Sequence, residues 1–209
     1  MIPADSRFPT GTVTFLFTDV EGSTTLWEQH PDAMRAALAK HDRLLRHAIE
    51  SSDGSIVKNT GDGVYAAFAA ATDAVAACLA AQRGLQEPDA GASNPMPSAT
   101  ERRTPISLSV RMGLHTGAAE LRDGDYFGAT LNRAARIMSA AHGGQVLLSA
   151  VTAELVREKL PEGVTLREMG EHRLKGLLNP ERLLQIVRLE QHRETGERAL
   201  IDRSTGERG

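Results

Sequence analysis

Apolar residues recur along this chain with two periods, and the change from one period to the other predicts its first elements. The apolar run at residues 12–17 is typical of a buried strand. After Pro31, the residues of one helix face recur at steps of four and three, at Met34, Leu38, His41, Leu45 and Ala48. This helix is expected to end at Gly54, and the runs 55–58 and 64–68 then predict a hairpin. A second helix is expected over residues 70–85.

The second half of the chain repeats this mixture of strands and helices after an interruption. Residues 86–105 hold four of the nine prolines and no branched aliphatic side chain, which predicts a flexible surface loop. Alternating apolar residues then predict a strand over 106–114, and Thr116-Gly117 is expected to turn the chain into a short strand at 118–121. The later elements are expected to be a helix at 129–141, a strand at 145–148, a helix from the cap Ser149 to residue 159, and strands at 164–168 and 182–189.

The order of these elements predicts the fold class and the domain organisation. Strands and helices intermingle without strict alternation, which favours an α+β fold with helices on one face of a sheet. The pattern places one domain at residues 11–190, preceded by a flexible, proline-containing arm at residues 1–10. The tail at residues 191–209 is charged and interrupted by glycines, and it is expected to be disordered.

Composition excludes several classes of protein. A chain of 209 residues with 41% hydrophobic content can bury a sizeable core. Its net charge of −3 argues against a nucleic-acid partner, because nucleic-acid-binding domains are usually basic. The single cysteine, Cys78, excludes a disulfide within the chain. No apolar stretch reaches membrane-spanning length and no signal-peptide core is found, so a cytoplasmic protein is expected unless a longer parent chain carries an anchor.

Two carboxylates stand beside predicted strands. Asp19 follows the first strand and precedes a glycine turn with a Ser/Thr helix start. Asp62 lies in the turn Gly61-Asp62-Gly63, directly before the strand 64–68. Two carboxylates in this setting suit a pair of hard cations and a triphosphate. Each also has a structural explanation, because Asp-Gly is a common hairpin turn and aspartate is a common helix cap.

A series of positions, matched in order and local context from residue 12 to residue 189, resembles the catalytic domain of class III nucleotidyl cyclases, of the bacterial adenylate cyclase type. The first lies in the motif Phe-Thr-Asp-Val-Glu-Gly-Ser-Thr at residues 17–24. The resemblance implies a ferredoxin-like, palm-type sheet, rich in antiparallel strands, with helices packed on it. It also implies individual roles: metal ligation by Asp19, Asp62 and the Val20 carbonyl, purine selection by Lys58 and Asp125, transition-state contacts by Asn132 and Arg136, and phosphate binding by Lys175.

Each implied role suits the chemistry of its residue. Asp125 can accept a hydrogen bond from the amino group of adenine while Lys58 donates to a ring nitrogen, and guanine presents the opposite polarity. Asn132 and Arg136 are four residues apart on one helix face, where an amide can hold the ribose and a guanidinium can meet developing charge. Structural alternatives stay open: exposed lysines, a turn-forming aspartate and a solvated helix pair.

The resemblance implies an adenylate cyclase, a phosphorus–oxygen lyase that converts ATP to 3′,5′-cyclic AMP and pyrophosphate with two Mg²⁺ or Mn²⁺ ions per site. It further implies a homodimer whose subunits share the sites. Guanylate cyclase and a catalytically silent nucleotide-binding or regulatory domain remain alternatives. A diguanylate cyclase is disfavoured because Gly143-Gly144 is followed by Gln145. Arg122 is a candidate for a further phosphate-binding arginine, and His115 is assigned a structural role because no second His or Cys lies at ligand spacing.

Overall fold

Residues 8–87 and 106–189 are described by a computed structural model, in which they build a mixed sheet covered by helices. Residues 1–7 of the arm expected at 1–10 and residues 88–105 of the loop expected at 86–105 lie outside these ranges. The tail expected at 191–209 lies wholly outside them. Every helix and strand of the described residues falls between residues 11 and 188.

Eight strands make up the sheet within the described residues. They are β1 (Gly11–Val20), β2 (Ser55–Asn59), β3 (Val64–Phe68), β4 (Val110–Arg122), β5 (Asp125–Phe127), β6 (Val146–Ser149), β7 (Val164–His172) and β8 (Glu181–Arg188). Their order is β2-β3-β1-β4-β6-β8-β7, and β5 pairs with β4. Every pairing is antiparallel except that of β4 with β6, so the expected α+β fold with an antiparallel-rich sheet is confirmed.

Five α-helices pack on this sheet in the described part of the chain. They are α1 (Ser23–Gln29), α2 (Pro31–Glu50), α3 (Ala71–Gln86), α4 (Ala129–Ala140) and α5 (Ala150–Val156), and a 3₁₀ turn, Arg157–Lys159, follows α5. Pro31 begins α2, as expected, because the first helical position needs no N–H donor. Ser149 caps α5, since its hydroxyl oxygen accepts the Thr152 N–H at 3.4 Å. None of the described helices is long and apolar enough to cross a membrane.

The helices lie on both faces of the sheet, so the expectation that they share one face is wrong. Leu16 of β1 belongs to a buried cluster with residues of α2 and α3, such as Met34 and Val75. Its neighbour in β1, Phe15, belongs to a second cluster that includes Ala134 of α4. Successive residues of a strand point to opposite faces, so α4 covers the face opposite α2 and α3. The physical reason is the parallel pair β4–β6, which needs a crossover, and α4 is part of it.

The strand β4 is longer than expected. The predicted strand 106–114 with a turn at Thr116-Gly117 is wrong, because β4 runs without a break from Val110 to Arg122. The glycines in this strand allow close packing rather than a turn: a Cβ at Gly113 would lie 2.2 Å from the backbone nitrogen of Met138 in α4. The turn comes later, at Asp123 and Gly124, whose φ angles of 53° and 76° suit a two-residue hairpin. This hairpin joins β4 to β5, a strand that the sequence pattern did not predict.

Candidate active site

Asp19 and Asp62 lie at the same end of the neighbouring strands β1 and β3. The Thr18 hydroxyl accepts the Val64 N–H at 2.9 Å, which continues the pairing of β1 with β3 to this end of the sheet. The next step along both strands sets Asp19 opposite Gly63, and Asp62 is adjacent in the turn. A Cβ at Gly63 would lie 2.0 Å from the Thr18 carbonyl oxygen, so glycine permits this close approach.

Asp19 is part of β1 and not the residue after it, which corrects the expected strand end at residue 17. Pairing with β4 continues through Val20, and the register sets Asp19 beside Arg111. The Asp19 carboxylate oxygen Oδ2 accepts a hydrogen bond from Nε of Arg111 at 2.8 Å and another from Nη2. The side chains of Asp19 and Arg111 are 23% and 30% exposed, so the pair is accessible from solvent. Asp19 therefore reaches the site from a fixed strand position.

Arg111 is a residue of this site that the sequence analysis did not single out. Its signal is a lone charge between Val110 and Met112, two apolar residues that are almost fully buried. The charge shows that one face of the strand has a polar neighbour. Its partner is set by the β1–β4 register, which cannot be obtained from residues that lie 92 positions apart in the sequence.

The donor set at this end of the sheet fits a divalent, oxygen-preferring cation. Among the described residues, no three or more His, Cys, Asp or Glu side chains are grouped to hold a metal ion. Asp19 and Asp62 are two carboxylates at one end of these strands, and the Val20 carbonyl follows Asp19 in the chain. Mg²⁺ is commonly held by one or two carboxylates together with phosphate oxygens and water, and not by a cage of protein ligands.

Lys58 and Asp125 flank a buried tyrosine, Tyr65. The register of β2 with β3 sets Lys58 opposite Tyr65, next to an irregularity in the pairing. Asp125 begins β5, and its Oδ1 accepts the N–H of Tyr126 at 2.8 Å. Burial first, and then the Asp125 carboxylate, raises the pKa of Tyr65 above its ordinary value. The register therefore places Lys58 across from Tyr65, and the Asp125 carboxylate acts on the same residue electrostatically.

Asn132 and Arg136 share the exposed side of α4. Ala134 and Ile137 are fully buried beneath them, so the helix turns its small and apolar residues to the sheet. Arg133, on another side of α4, forms an ion pair with Glu181 at 3.2 Å. The expected grouping of Asn132 with Arg136 is thus seen, one helical turn apart.

Lys175 lies in the turn after β7, on the α4 side of the molecule. Its neighbour Leu174 is buried in a cluster with Ile137 and Ala141, at the C-terminal part of α4. This contact holds the turn against the helix while the Lys175 side chain stays exposed. Five of the expected site residues make no side-chain hydrogen bond or ion pair with another described residue: Lys58, Asp62, Asn132, Arg136 and Lys175.

Arg122 and His115 are engaged in local contacts. Arg122 forms an ion pair with Glu120 at 3.5 Å and lies 4.5 Å over the ring of Phe127, so its expected role with phosphate stays a prediction. His115 is 4% exposed, and its Nδ1 lies 2.7 Å from the Ser149 hydroxyl oxygen. Burial, with Arg133 nearby, lowers the pKa of His115 to about 4. A buried, neutral imidazole bonded to a helix cap agrees with a structural role.

Comparisons with known proteins find one matching family model and several relatives. A family model described as the adenylate and guanylate cyclase catalytic domain matches residues 7–187. An uncharacterised protein of Mycobacterium tuberculosis is 41% identical over 180 residues, which are 85% of this chain and 56% of that protein. The adenylate cyclase of Podospora anserina is 33% identical over 224 residues, 86% of this chain and 10% of that protein. The chain thus spans only part of the curated relatives it matches.

A solved structure extends the likeness to three dimensions. It belongs to a study of Trypanosoma brucei adenylate cyclases in their monomeric state, and it superposes with a TM-score of 0.69 at 31% identity. The match covers 85% of this chain and 90% of that one. Nearly the whole of the described fold is therefore shared.

Proposed function

Because the chain belongs to the adenylate and guanylate cyclase catalytic domain family, we propose that it is an adenylate cyclase that converts ATP to 3′,5′-cyclic AMP and pyrophosphate. The observation that carries the proposal is the placement of Lys58 and Asp125 around Tyr65. An ammonium donor and a carboxylate acceptor match the ring nitrogen and the amino group of adenine. Guanine offers a carbonyl and a protonated ring nitrogen there, and a site built for one polarity discriminates strongly against the other.

Asp19, Asp62 and the Val20 carbonyl would hold two Mg²⁺ or Mn²⁺ ions. The ions would supply a lowered pKa for the ribose 3′-hydroxyl and positive charge beside the triphosphate. Asp19 and Asp62 lie at the same end of the neighbouring strands β1 and β3, which supports joint ligation. Arg111 adds a fixed positive charge on Asp19 and keeps that carboxylate in one orientation.

Three further residues would act on the ribose and the phosphates. The Asn132 amide would hold the ribose so that its 3′-oxygen lies in line with the α-phosphorus. Arg136, one helical turn away, would meet the negative charge that grows on the α-phosphoryl oxygens as pyrophosphate leaves. Lys175 would bind the terminal phosphates as a point charge. All three are exposed and have no polar partner among the described residues, so each is available to a ligand.

We further propose that two copies of the chain form a homodimer with two shared sites. Asp19 belongs to the same alternating set of β1 residues as Phe15, which packs on the α4 face. Asp19 and the helix α4, which carries Asn132 and Arg136, therefore belong to one face of the sheet. A two-fold axis would set the carboxylates of each subunit against Lys58, Asp125, Asn132, Arg136 and Lys175 of the other, which makes two equivalent sites.

The proposal is tested by the products. Purified protein is incubated with Mn²⁺ and either ATP or GTP, and the nucleotides are separated by chromatography. The expected result is cyclic AMP with pyrophosphate from ATP, and much less cyclic GMP from GTP. Faster turnover of GTP would establish a guanylate cyclase instead. Tight binding of ATP without any product would favour a catalytically silent nucleotide-binding domain.

A further inference from the structure

The hydroxyl group of Tyr65 is buried without a partner among the described residues. Tyr65 is 4% exposed, and its hydroxyl oxygen makes no hydrogen bond with any residue that the structure describes. A buried polar group of this kind is unfavourable, and most native proteins pair nearly all of theirs. None of the roles assigned above uses this hydroxyl.

The ring that carries this hydroxyl is held firmly by its neighbours. Phe17 stacks on it with ring centroids 4.7 Å apart and planes only 12° from parallel. Phe15 lies against it at 5.9 Å. Both come from β1, which is hydrogen-bonded to β3 along the whole contact. The hydroxyl therefore keeps one position and cannot turn out to water without breaking this packing.

Asp125 is the charged group that affects this hydroxyl most, and it precedes Tyr126, whose ring packs on Phe15 as the Tyr65 ring does. Burial is the main cause that raises the pKa of Tyr65, and the Asp125 carboxylate is the next. The hydroxyl consequently stays protonated at neutral pH and is available as a donor. Asp125 accepts a hydrogen bond from the Tyr126 N–H and makes no other with a described residue. Since a carboxylate has about four acceptor positions, Asp125 can take a further donor and still accept from a base.

We propose that Tyr65 is a positioning residue for base recognition: when a nucleotide binds, its hydroxyl donates to the Asp125 carboxylate and holds it as an acceptor for the exocyclic amino group of adenine. This inference rests on the proposed function, because it takes Asp125 as a base-reading residue. The buried hydroxyl gains its partner only in the complex. Because the unfavourable burial of an unpaired hydroxyl is relieved only when the nucleotide binds, this relief makes binding tighter and more selective.

The variant Tyr65→Phe tests the inference, since it keeps the ring stack and removes only the hydroxyl. The expected result is about a tenfold rise in KM for ATP with little change in kcat, the size of one lost hydrogen bond to a charged group. The preference for ATP over GTP should fall by a similar factor. Stability to urea should be unchanged or higher, because the lost hydroxyl has no partner among the residues that the structure describes.

The second tyrosine of the chain is the matched control. The Tyr126 hydroxyl donates to the Pro9 carbonyl oxygen at 2.6 Å, so Tyr126→Phe removes a hydrogen bond that the free protein makes. This variant should lower stability to urea and leave the ATP preference unchanged. Tyr65→Phe should thus change selectivity without lowering stability, and Tyr126→Phe should lower stability without changing selectivity. A general disturbance of the packing around the two tyrosines would change both quantities in both variants.

A double-mutant cycle with Asp125→Ala shows whether Tyr65 acts through Asp125. In the Asp125→Ala background, Tyr65→Phe should cause no further change in KM for ATP. Additive effects would overturn the inference, and so would a Tyr65→Phe protein with an unaltered KM and ATP preference. Wild-type protein without any ATP preference, in turnover and in competition binding, would overturn the proposed function itself. Failure of this inference is therefore seen in the Tyr65→Phe variants, whereas failure of the proposed function is seen in the wild-type protein.

Discussion

At the scale of single residues, Asp19 and Asp62 differ in what they contribute to the fold. Asp19 is paired with Arg111, whereas Asp62 makes no polar side-chain contact with a described residue. Changing either to Ala should reduce turnover by about 100-fold or more, because each is expected to hold the metal ions. Asp62→Ala should change the free energy of unfolding by at most about 0.5 kcal/mol. Asp19→Ala should cost about 1 kcal/mol, because it leaves the part-exposed Arg111 unpaired.

Steady-state turnover and urea denaturation separate these two effects. Glu162, an exposed residue before β7, provides a control variant, Glu162→Ala, that should alter neither quantity. A folded Asp19→Ala protein that keeps most of its activity would contradict the assignment of metal ligands. Equal losses of stability in the Asp19 and Asp62 variants would show that the contact with Arg111 is not made in solution.

His115 should make stability depend on pH. Its pKa is lowered to about 4 in the folded protein by burial and by Arg133, whereas an unfolded histidine has a pKa of about 6.5. Between these two values the unfolded state binds more protons than the folded state. Stability from this residue is therefore complete above pH 6.5 and is lost as the pH falls towards 4. The difference corresponds to about 3 kcal/mol.

Urea denaturation at pH 7 and at pH 5 measures this linkage. The variant His115→Gln, which does not titrate, should lose less stability between the two pH values than the wild-type protein. His172, an exposed histidine in β7, supplies the control, and His172→Gln should keep the wild-type dependence. An identical pH dependence in the His115 variant and the wild type would contradict the assignment.

The sequence motifs predicted those candidate site residues whose signal is local. Asp19 and Asp62 stand beside short runs with recognisable spacing, and Asn132 with Arg136 follows the helical period. Arg111 was not found, because its importance comes from the strand register that sets it beside a residue 92 positions away. Tyr65 was also missed, since an apolar strand such as 64–68 gives no sign that one hydroxyl will lack a partner.

At the scale of elements, the contact between β4 and α4 depends on two glycines. A Cβ at Gly113 would lie 2.2 Å from the Met138 backbone nitrogen and 2.6 Å from its Cα, and backbone atoms cannot move aside. A Cβ at Gly117 would lie 2.9 Å from the Thr130 side chain, which can rotate. Gly113→Ala should therefore cost about 3 kcal/mol, and Gly117→Ala about 1 kcal/mol.

A glycine-to-alanine change in a helix provides a control variant in which stability should not fall. Gly84 lies inside α3, and a Cβ there would meet only the tip of Leu44 at 3.1 Å. Alanine has a higher helix propensity than glycine, so Gly84→Ala should be neutral or stabilising by up to about 1 kcal/mol. Urea denaturation of the three variants gives the order. If Gly113→Ala is no worse than Gly117→Ala, then α4 does not approach β4 as closely as the structure shows.

The two element-level errors in the sequence analysis have the same origin. Glycines such as Gly113 and Gly117 are common in turns, and Thr116-Gly117 was interpreted as a turn. Here glycine instead provides room for a helix that arrives from later in the chain. The short strand β5 was missed because three residues show no period, and Asp125 was weighed as part of a turn. Local composition cannot distinguish a turn from a site of close packing.

At the scale of the whole molecule, the α+β class and the order of most elements could be predicted, because hydrophobic period is a local property. The face on which each helix lies could not. Leu16 and Phe15 are adjacent in the sequence and equally apolar, yet one packs under α2 and α3 and the other under α4. An apolar run with both neighbours buried indicates a strand covered on both sides. The run at residues 12–17 carried that signal, although the sequence analysis placed helices on one face.

The strongest whole-molecule prediction concerns a site shared between two copies of the chain. If each site takes Asp19 from one subunit and Arg136 from the other, Asp19→Ala and Arg136→Ala proteins should each be nearly inactive. A mixed dimer of the two would combine both defects in one site and leave the second site intact. With random exchange half of all dimers are mixed, so about a quarter of the wild-type activity should return on mixing.

Two measurements make this result decisive. Subunit exchange is followed independently with differently labelled copies, so that a failure to mix is not mistaken for a failure to complement. Specific activity of the wild-type protein should also fall on dilution below the dimer dissociation constant, since a monomer would hold only half of each site. If exchange is complete and no activity returns, Asp19 and Arg136 serve the same site within one chain. In that case the exposed face of α4 would have to bind the nucleotide without a second subunit.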